Sequence, residues 1–139
     1  MPIIKSNEFS VAVSHILSDY ATDVQKAVAQ AVEETGERAL KTVRAKSPVR
    51  KGKGGGKYKK AWKKKIEHAG IFSTQSRVII YNKDEYRLVH LLENVHQIVN
   101  KGRICGRVEG IPHVRPAYEE AERLLPELTA KAIEEVGEK

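Results

Sequence analysis

Residues 38–66 hold thirteen lysines and arginines and no aspartate or glutamate. Like charges at this density repel one another and disfavour the compact state. The 139-residue chain carries +7 overall, but outside this stretch 12 basic residues face 18 acidic ones, a net of −6. A near-neutral to acidic body with one intensely basic segment carries the electrostatic footprint of a polyanion or of an acidic protein surface. Within it, residues 49–57 combine four glycines with four basic residues. They are expected to form a mobile basic loop over about 47–57. No Gly-Lys-Ser/Thr follows a strand here, so the run is not a P-loop.

The chain can supply a modest core. Val, Ile, Leu and Phe make up 35 of the 139 residues, above the level that signals disorder. The length suits one domain, 1–139. Aromatics are 6%, so the core should be mainly aliphatic. No apolar run approaches the roughly 18–20 residues of a membrane span, and the first residues lack a signal-peptide pattern. Cys105 is the sole cysteine, which excludes a disulfide scaffold and a zinc site built on paired cysteines. These features point to a soluble chain made in a reducing cytosol, with no membrane partner.

Hydrophobic spacing gives the elements. Phe9, Val11 and Val13 alternate, which suggests a short strand. From about Ser14, the series Leu17, Tyr20, Val24, Val28, Ala31, Thr35, Ala39 and Val43 steps by three or four, the stripe of a long amphipathic helix. Gly36 weakens its interior and marks a bend or a close contact. Ser47 before Pro48 ends it. Residues 58–68 alternate in part and predict a strand, with Trp62 as a core anchor on it. Residues 77–81 predict a stronger strand, and the two form an antiparallel hairpin across 69–76. Leu88, Leu91, Leu92 and Val95 share the face of a short helix. Residues 97–111 read as a loop with at most one short strand. Pro116 suits the first turn of a C-terminal helix. Ala117, Ala121, Leu124, Leu125, Leu128, Ala132 and Val136 line one side of it and glutamates the other, with Pro126 expected to kink or interrupt it. The order predicts an α+β fold: a long N-terminal helix packed on a small, mainly antiparallel β-sheet, with a short middle helix and a C-terminal helix.

Candidate chemistry is sparse. His90, Glu93 and His96 lie three residues apart, and with His113 a histidine–carboxylate metal site can be drawn. The set lacks the His-Glu-x-x-His spacing. The simpler reading has His90 and His113 bonding backbone groups where the loop meets a helix. The only aspartates are Asp19, Asp23 and Asp84, and no serine sits in a nucleophile elbow. No catalytic, cofactor-binding or metal residue is assigned.

Three motifs carry a family resemblance. Ser47, Pro48, Arg50 and Gly52, then Gly56, Lys57, Tyr58, Lys59, Lys60, Ala61 and Trp62, resemble "SP-x-RTGKYAKSW". Tyr86, Leu88, His90, Leu91, Leu92, Glu93 and His96 resemble "Y-x-LTHLLE-x-GH". Gly106, Arg107, Val108, Gly110, Pro112, His113, Arg115, Pro116 and Ala117 resemble "GGRV-x-G-x-PHIRPA". In this order, over about residues 10–136, the chain resembles the tail-completion, or head–tail joining, proteins of phages with long non-contractile tails. It departs from the pattern in an expanded basic loop at 51–56, in Asn94 and Val95 before His96, and at Cys105.

The resemblance implies a structural protein without enzymatic activity or cofactor. It would be monomeric when free and assembled in the bacterial cytoplasm into a ring, expected to be a hexamer, at the virion's head–tail junction. Its partners would be head-completion or connector proteins and tail-tube proteins. Tyr58, Trp62, His90, Leu91, Glu93, His96, Gly110, Pro112, His113 and Pro116 would be structural motif residues. Arg50, Lys51, Lys53, Lys57, Lys59 and Lys60 would be the partner-binding basic set, with DNA nearby. The basic segment and the Glu-rich C-terminal helix (Glu119, Glu120, Glu122) offer complementary ring surfaces. Two other readings follow from the residues. One is a nucleic-acid-binding protein with lysines on phosphates and Tyr58 and Trp62 stacking on bases. The other is a metal enzyme built on His90, Glu93, His96 and His113.

Overall fold

The computed structural model describes residues 6–69 and 75–138. Helix α1 spans Ser6–Lys46, a turn of helix α2 spans Lys57–Lys60, and strands β1 and β2 span Trp62–Ala69 and Gln75–Asn82. A 3-10 turn, Tyr86–Leu88, leads into α3, Val89–Glu93. Strands β3 (His96–Asn100) and β4 (Arg103–Val108) precede α4, Val114–Gly137. The fold is α+β, with a long N-terminal helix, two small antiparallel sheets and a C-terminal helix.

The two long helices run antiparallel. Near one end of the pair, Thr42 Oγ1 donates to Glu120 Oε2 at 2.6 Å. Near the other, Ala27 and Ala31 lie beside Leu128 and Ala132. Ala27, Ala31, Thr35 and Ala39 are buried, and these small side chains let α4 approach closely. Thr35 stays satisfied by returning its hydroxyl to the Ala31 carbonyl at 2.7 Å. The β1–β2 hairpin pairs Trp62 with Asn82 through to Ala69 with Gln75 and packs on α1. The core gathers where α1 ends and α4 begins: Leu40, Val43, Tyr58, Trp62 and Ala117, with Ile80, Val89, Leu92 and Val114 against them. Trp62 is the expected core anchor.

Gly36 is the close contact that the sequence anticipated. A Cβ there would lie 2.5 Å from Val78 Cγ1 and 2.9 Å from Val78 Cβ. The bare backbone therefore lets β2 press onto α1.

Three expectations are corrected and a fourth, on Pro126, is narrowed. Phe9, Val11 and Val13 are not a strand, because α1 begins at Ser6. Phe9, Val13, Ile16 and Tyr20 also step by four and three, and extending an existing helix costs far less than nucleating a new element. Tyr58 and Lys60 are not in a strand: Lys60 N–H bonds the Gly56 carbonyl at 2.9 Å and closes a helical turn, so β1 starts only at Trp62. Residues 97–111 hold two strands rather than at most one. Lys101 (φ 49°) and Gly102 (φ 79°) turn β3 back on β4 in the left-handed geometry of a two-residue hairpin loop. Pro126 does not interrupt α4. Glu122 and Pro126 both face solvent, so water can serve the carbonyl that the proline leaves unpaired. Of the hairpin connection at 69–76, residues 70–74 lie outside those described, as do 1–5.

Gly36→Ala should lower stability by about 1–2 kcal/mol, overpacking outweighing the helix-propensity gain of the alanine. In a thermodynamic cycle with Val78→Ala, that penalty should shrink once the opposing methyls are removed. Chemical denaturation of the four proteins checks it, and additive effects would show that the two residues do not press on each other.

Candidate functional site

One carboxylate joins the three sequence motifs. Glu93, the last residue of α3, points both oxygens at the start of α4. Its Oε2 accepts from the backbone N–H of His113 at 2.8 Å and of Val114 at 2.9 Å, and its Oε1 from Arg115 N–H at 2.9 Å. The first amides of a helix have no intrahelical partner, and His113 at the N-cap supplies none from its own side chain. Glu93 satisfies them from a distant element and sets a negative charge at the positive end of the helix dipole. Burial disfavours the Glu93 carboxylate, but the three amides and the neighbouring His113 outweigh it and hold its pKa below the usual 4.5.

His113 continues the network inward. Its Nδ1 faces two acceptors, the Ile111 carbonyl at 2.7 Å and Glu93 Oε2 at 2.9 Å, so Nδ1 carries the proton. Its Nε2 is then free to accept the Tyr58 hydroxyl at 2.6 Å. Burial, with the Glu93 charge adding, pushes the Tyr58 phenol up to about 12, so it stays a donor at neutral pH. The rings of Tyr58, Trp62 and His113 meet edge to face at 5.5–6.0 Å between centroids. Asn82, at the end of β2, donates from Nδ2 to the Tyr58 carbonyl at 2.9 Å and accepts Glu85 N–H at 2.8 Å. Ile111 N–H bonds the Leu92 carbonyl at 2.7 Å. Gly110 lies so close that a Cβ would sit 2.4 Å from the Glu93 carbonyl oxygen.

The tyrosine, imidazole and carboxylate stand in line like a proton relay. The ring of His113 is 0% exposed, however, and both its nitrogens are engaged. Its chemistry here is mechanical. It locks α2, α3 and α4 to one another.

The other motif residues have separate places. His113 bonds a backbone carbonyl as expected, whereas His90 is exposed and its imidazole makes no hydrogen bond among the described residues. His96 begins β3, half-buried, with Nδ1 unpartnered among the described residues. No group of three or more His, Cys, Asp or Glu side chains suited to a metal occurs among the described residues. Leu91 faces outward while its neighbour Leu92 packs on the core. Pro112 is exposed, and Pro116 lies in the first turn of α4.

The basic set divides into two faces. Arg50 and Lys57 line a groove with Tyr58, Glu85, Leu88 and Leu92, where Lys57 pairs with Glu85 at 3.2 Å. Lys59 and Lys60 instead line a concavity with Arg44 and Lys63. None of these three lysines forms an ion pair among the described residues, and Arg44 donates to the Trp62 carbonyl at 2.6 Å. Lys51 and Lys53 lie exposed in the loop. Arg44 and Lys63 were absent from the expected set. The helical turn at 57–60 is what swings Lys59 and Lys60 toward them, and strand alternation hid it. Stacking of nucleic-acid bases on Tyr58 and Trp62 is excluded in this fold, because both rings are buried. Glu120 is tied to Thr42 and so is not a free outward charge on α4.

Residues 13–94 match the family model described as "Bacteriophage HK97-gp10, putative tail-component". The match takes in more than half of the chain, and the chain belongs to that family. It is a structural component of a phage tail. The first motif lies inside the matched region, the second ends just past it, and the third, with His113, lies beyond it. No curated protein and no solved structure gives a match. No described helix is long and apolar enough to cross a membrane.

Glu93→Ala should cost about 2–3 kcal/mol by stripping the cap from α4. Glu93→Gln should be less stable than the native chain at neutral pH. The folded carboxylate has the lower pKa, so its contribution is complete above about 4.5 and is lost as pH falls through the depressed value. The gap in melting temperature between the two proteins should therefore close on acidification. A gap that does not vary with pH would remove the charged cap from the account.

Proposed function

We propose that the protein completes the tail and joins it to the head, acting as a ring at the end of the tail tube. The observation that carries this reading is the division of labour among its residues. Polar motif side chains that resemble a reactive site are spent inside the fold, on a buried lock. The side chains left facing out are charged and apolar ones on projecting elements, which suit contact with other proteins. Arg44, Lys59, Lys60 and Lys63 form the face for an acidic partner. The loop at about 47–57 orders on that partner, with an entropic cost at the moment of binding. A ring is closed by heterologous contacts between identical subunits.

Electron microscopy of lysates from a phage with this gene silenced tests the proposal. DNA-filled heads with separate or abnormally long tails are the expected outcome. Intact virions in normal number would overturn it.

The lysine face, unpaired among the described residues, supports a second reading, sequence-independent binding to nucleic acid. It predicts duplex binding that weakens steeply with salt, and a triple reversal, K59E/K60E/K63E, that flattens the salt slope by about three contacts' worth. Fluorescence anisotropy over a salt series separates the two. Under the tail reading, binding by the free chain stays weak at every salt concentration.

A further inference from the structure

Two elements carry apolar side chains that the other described residues leave uncovered. The first is the start of α1. Every residue from 6 to 23 is exposed, including Phe9 at 60% and Ile16 at 67%. These residues lie on the same helix whose later turns, Ala27 to Val43, are buried. Because α4 runs antiparallel and ends at Gly137, about 18 residues of α1, roughly 27 Å, extend past the covered part. The second element is the β3–β4 hairpin. Val99 and Ile104 face each other across the strands, 61% and 66% exposed. Apart from His96 and Gly106, every residue of the two strands is exposed. A two-stranded hairpin with neither face packed is marginal in water.

The two surfaces are complementary in charge. Residues 6–23 contain Glu8, Asp19 and Asp23 and no lysine or arginine. Residues 96–108 contain Lys101, Arg103 and Arg107 and no aspartate or glutamate. They also lie at opposite ends of the molecule. The hairpin leaves the body between Glu93 and His113, at the N-terminal end of α4, and the bare part of α1 begins beyond its C-terminal end. The 24 residues of α4 span about 36 Å, whereas strands of five and six residues reach about 20 Å. The hairpin therefore does not reach the bare helix of its own chain.

We infer that the β3–β4 hairpin of one copy docks on the exposed first half of α1 in the next copy. Val99 and Ile104 lie on the Ile16–Tyr20 region, and Lys101, Arg103 and Arg107 face Asp19 and Asp23. The contact is heterologous, so each copy offers one donor end and one acceptor end, the requirement for a closed ring. This deepens the ring reading above by naming the subunit contact.

A charge swap tests it in the full-length chain. Sedimentation velocity over a series up to millimolar concentration should show the native protein, monomeric when dilute, self-associating as concentration rises. K101E/R103E/R107E and D19K/D23K should each weaken it at least about tenfold, as expected for close charge pairs at an interface. All five positions are exposed, and circular dichroism confirms that each variant is folded. Mixed in equal amounts, the two variants should assemble again, because every hairpin then meets a helix of opposite charge. A native chain that stays monomeric up to millimolar concentration would overturn the contact, as would variants that associate like the native protein or a mixture that stays monomeric. Native-like association by the variants would leave a ring built on other surfaces intact, and the tail phenotype in lysates decides that reading separately.

Discussion

The carboxylate of Glu93 is the constraint on which the molecule turns. Helix α4 begins with amides that its own N-cap residue does not serve, and α3 is only five residues long. Neither end would hold its place alone. By accepting three amides with one side chain, Glu93 fixes where α4 starts, and so where Ala117 and Leu124 meet α1. His113 passes that restraint to Tyr58, and Tyr58 fixes the turn from which β1 departs. Helix, hairpin and helix are thus positioned by one chain of hydrogen bonds that crosses from residue 58 to residue 115. Buried polar networks of this kind specify a geometry when every member is satisfied, and become liabilities when one is removed.

What the sequence revealed depended on how much of each signal was local. The long stripe from Leu17 to Val43 and the β-branched run at 77–81 declare their periods within a few residues, and both elements formed. Trp62 was legible as an anchor for the same reason. The turn at 57–60 was not, because alternation in Tyr58, Lys60 and Trp62 mimics a strand, while the deciding bond is the Gly56 carbonyl to Lys60 N–H. The second hairpin was hidden by its turn, Lys101 before Gly102, where the strongest hairpin signals use Asn or Asp before Gly. Its β-branched neighbours, Ile98, Val99 and Ile104, were the available clue.

The candidate site was legible in a different manner. Resemblance to motifs singled out Tyr58, Glu93, Gly110 and His113, but no spacing rule brings together residues 55 positions apart. Histidine and glutamate at spacings of three suggested metal chemistry, whereas the glutamate's partner is the amide row of a remote helix. The same residue types serve both purposes. Burial and the direction of each lone pair decide between them, and neither is written in a linear pattern.

Stability in this fold is unevenly spread. Buried side chains cluster between Leu40, Tyr58, Trp62 and Ala117, near the junction of α1 and α4. The first five turns of α1 have no such support among the described residues. They are helical by continuation, since adding residues to a nucleated helix needs only one further hydrogen bond each. Their apolar side chains gain nothing from the lone chain. A surface that contributes little to the monomer is the place where association adds most, because covering it removes apolar area from water without dismantling an existing contact. The buried lock and the bare ends are therefore two consequences of one arrangement. A rigid junction holds the extensions in fixed directions, which the proposed contact between identical subunits requires.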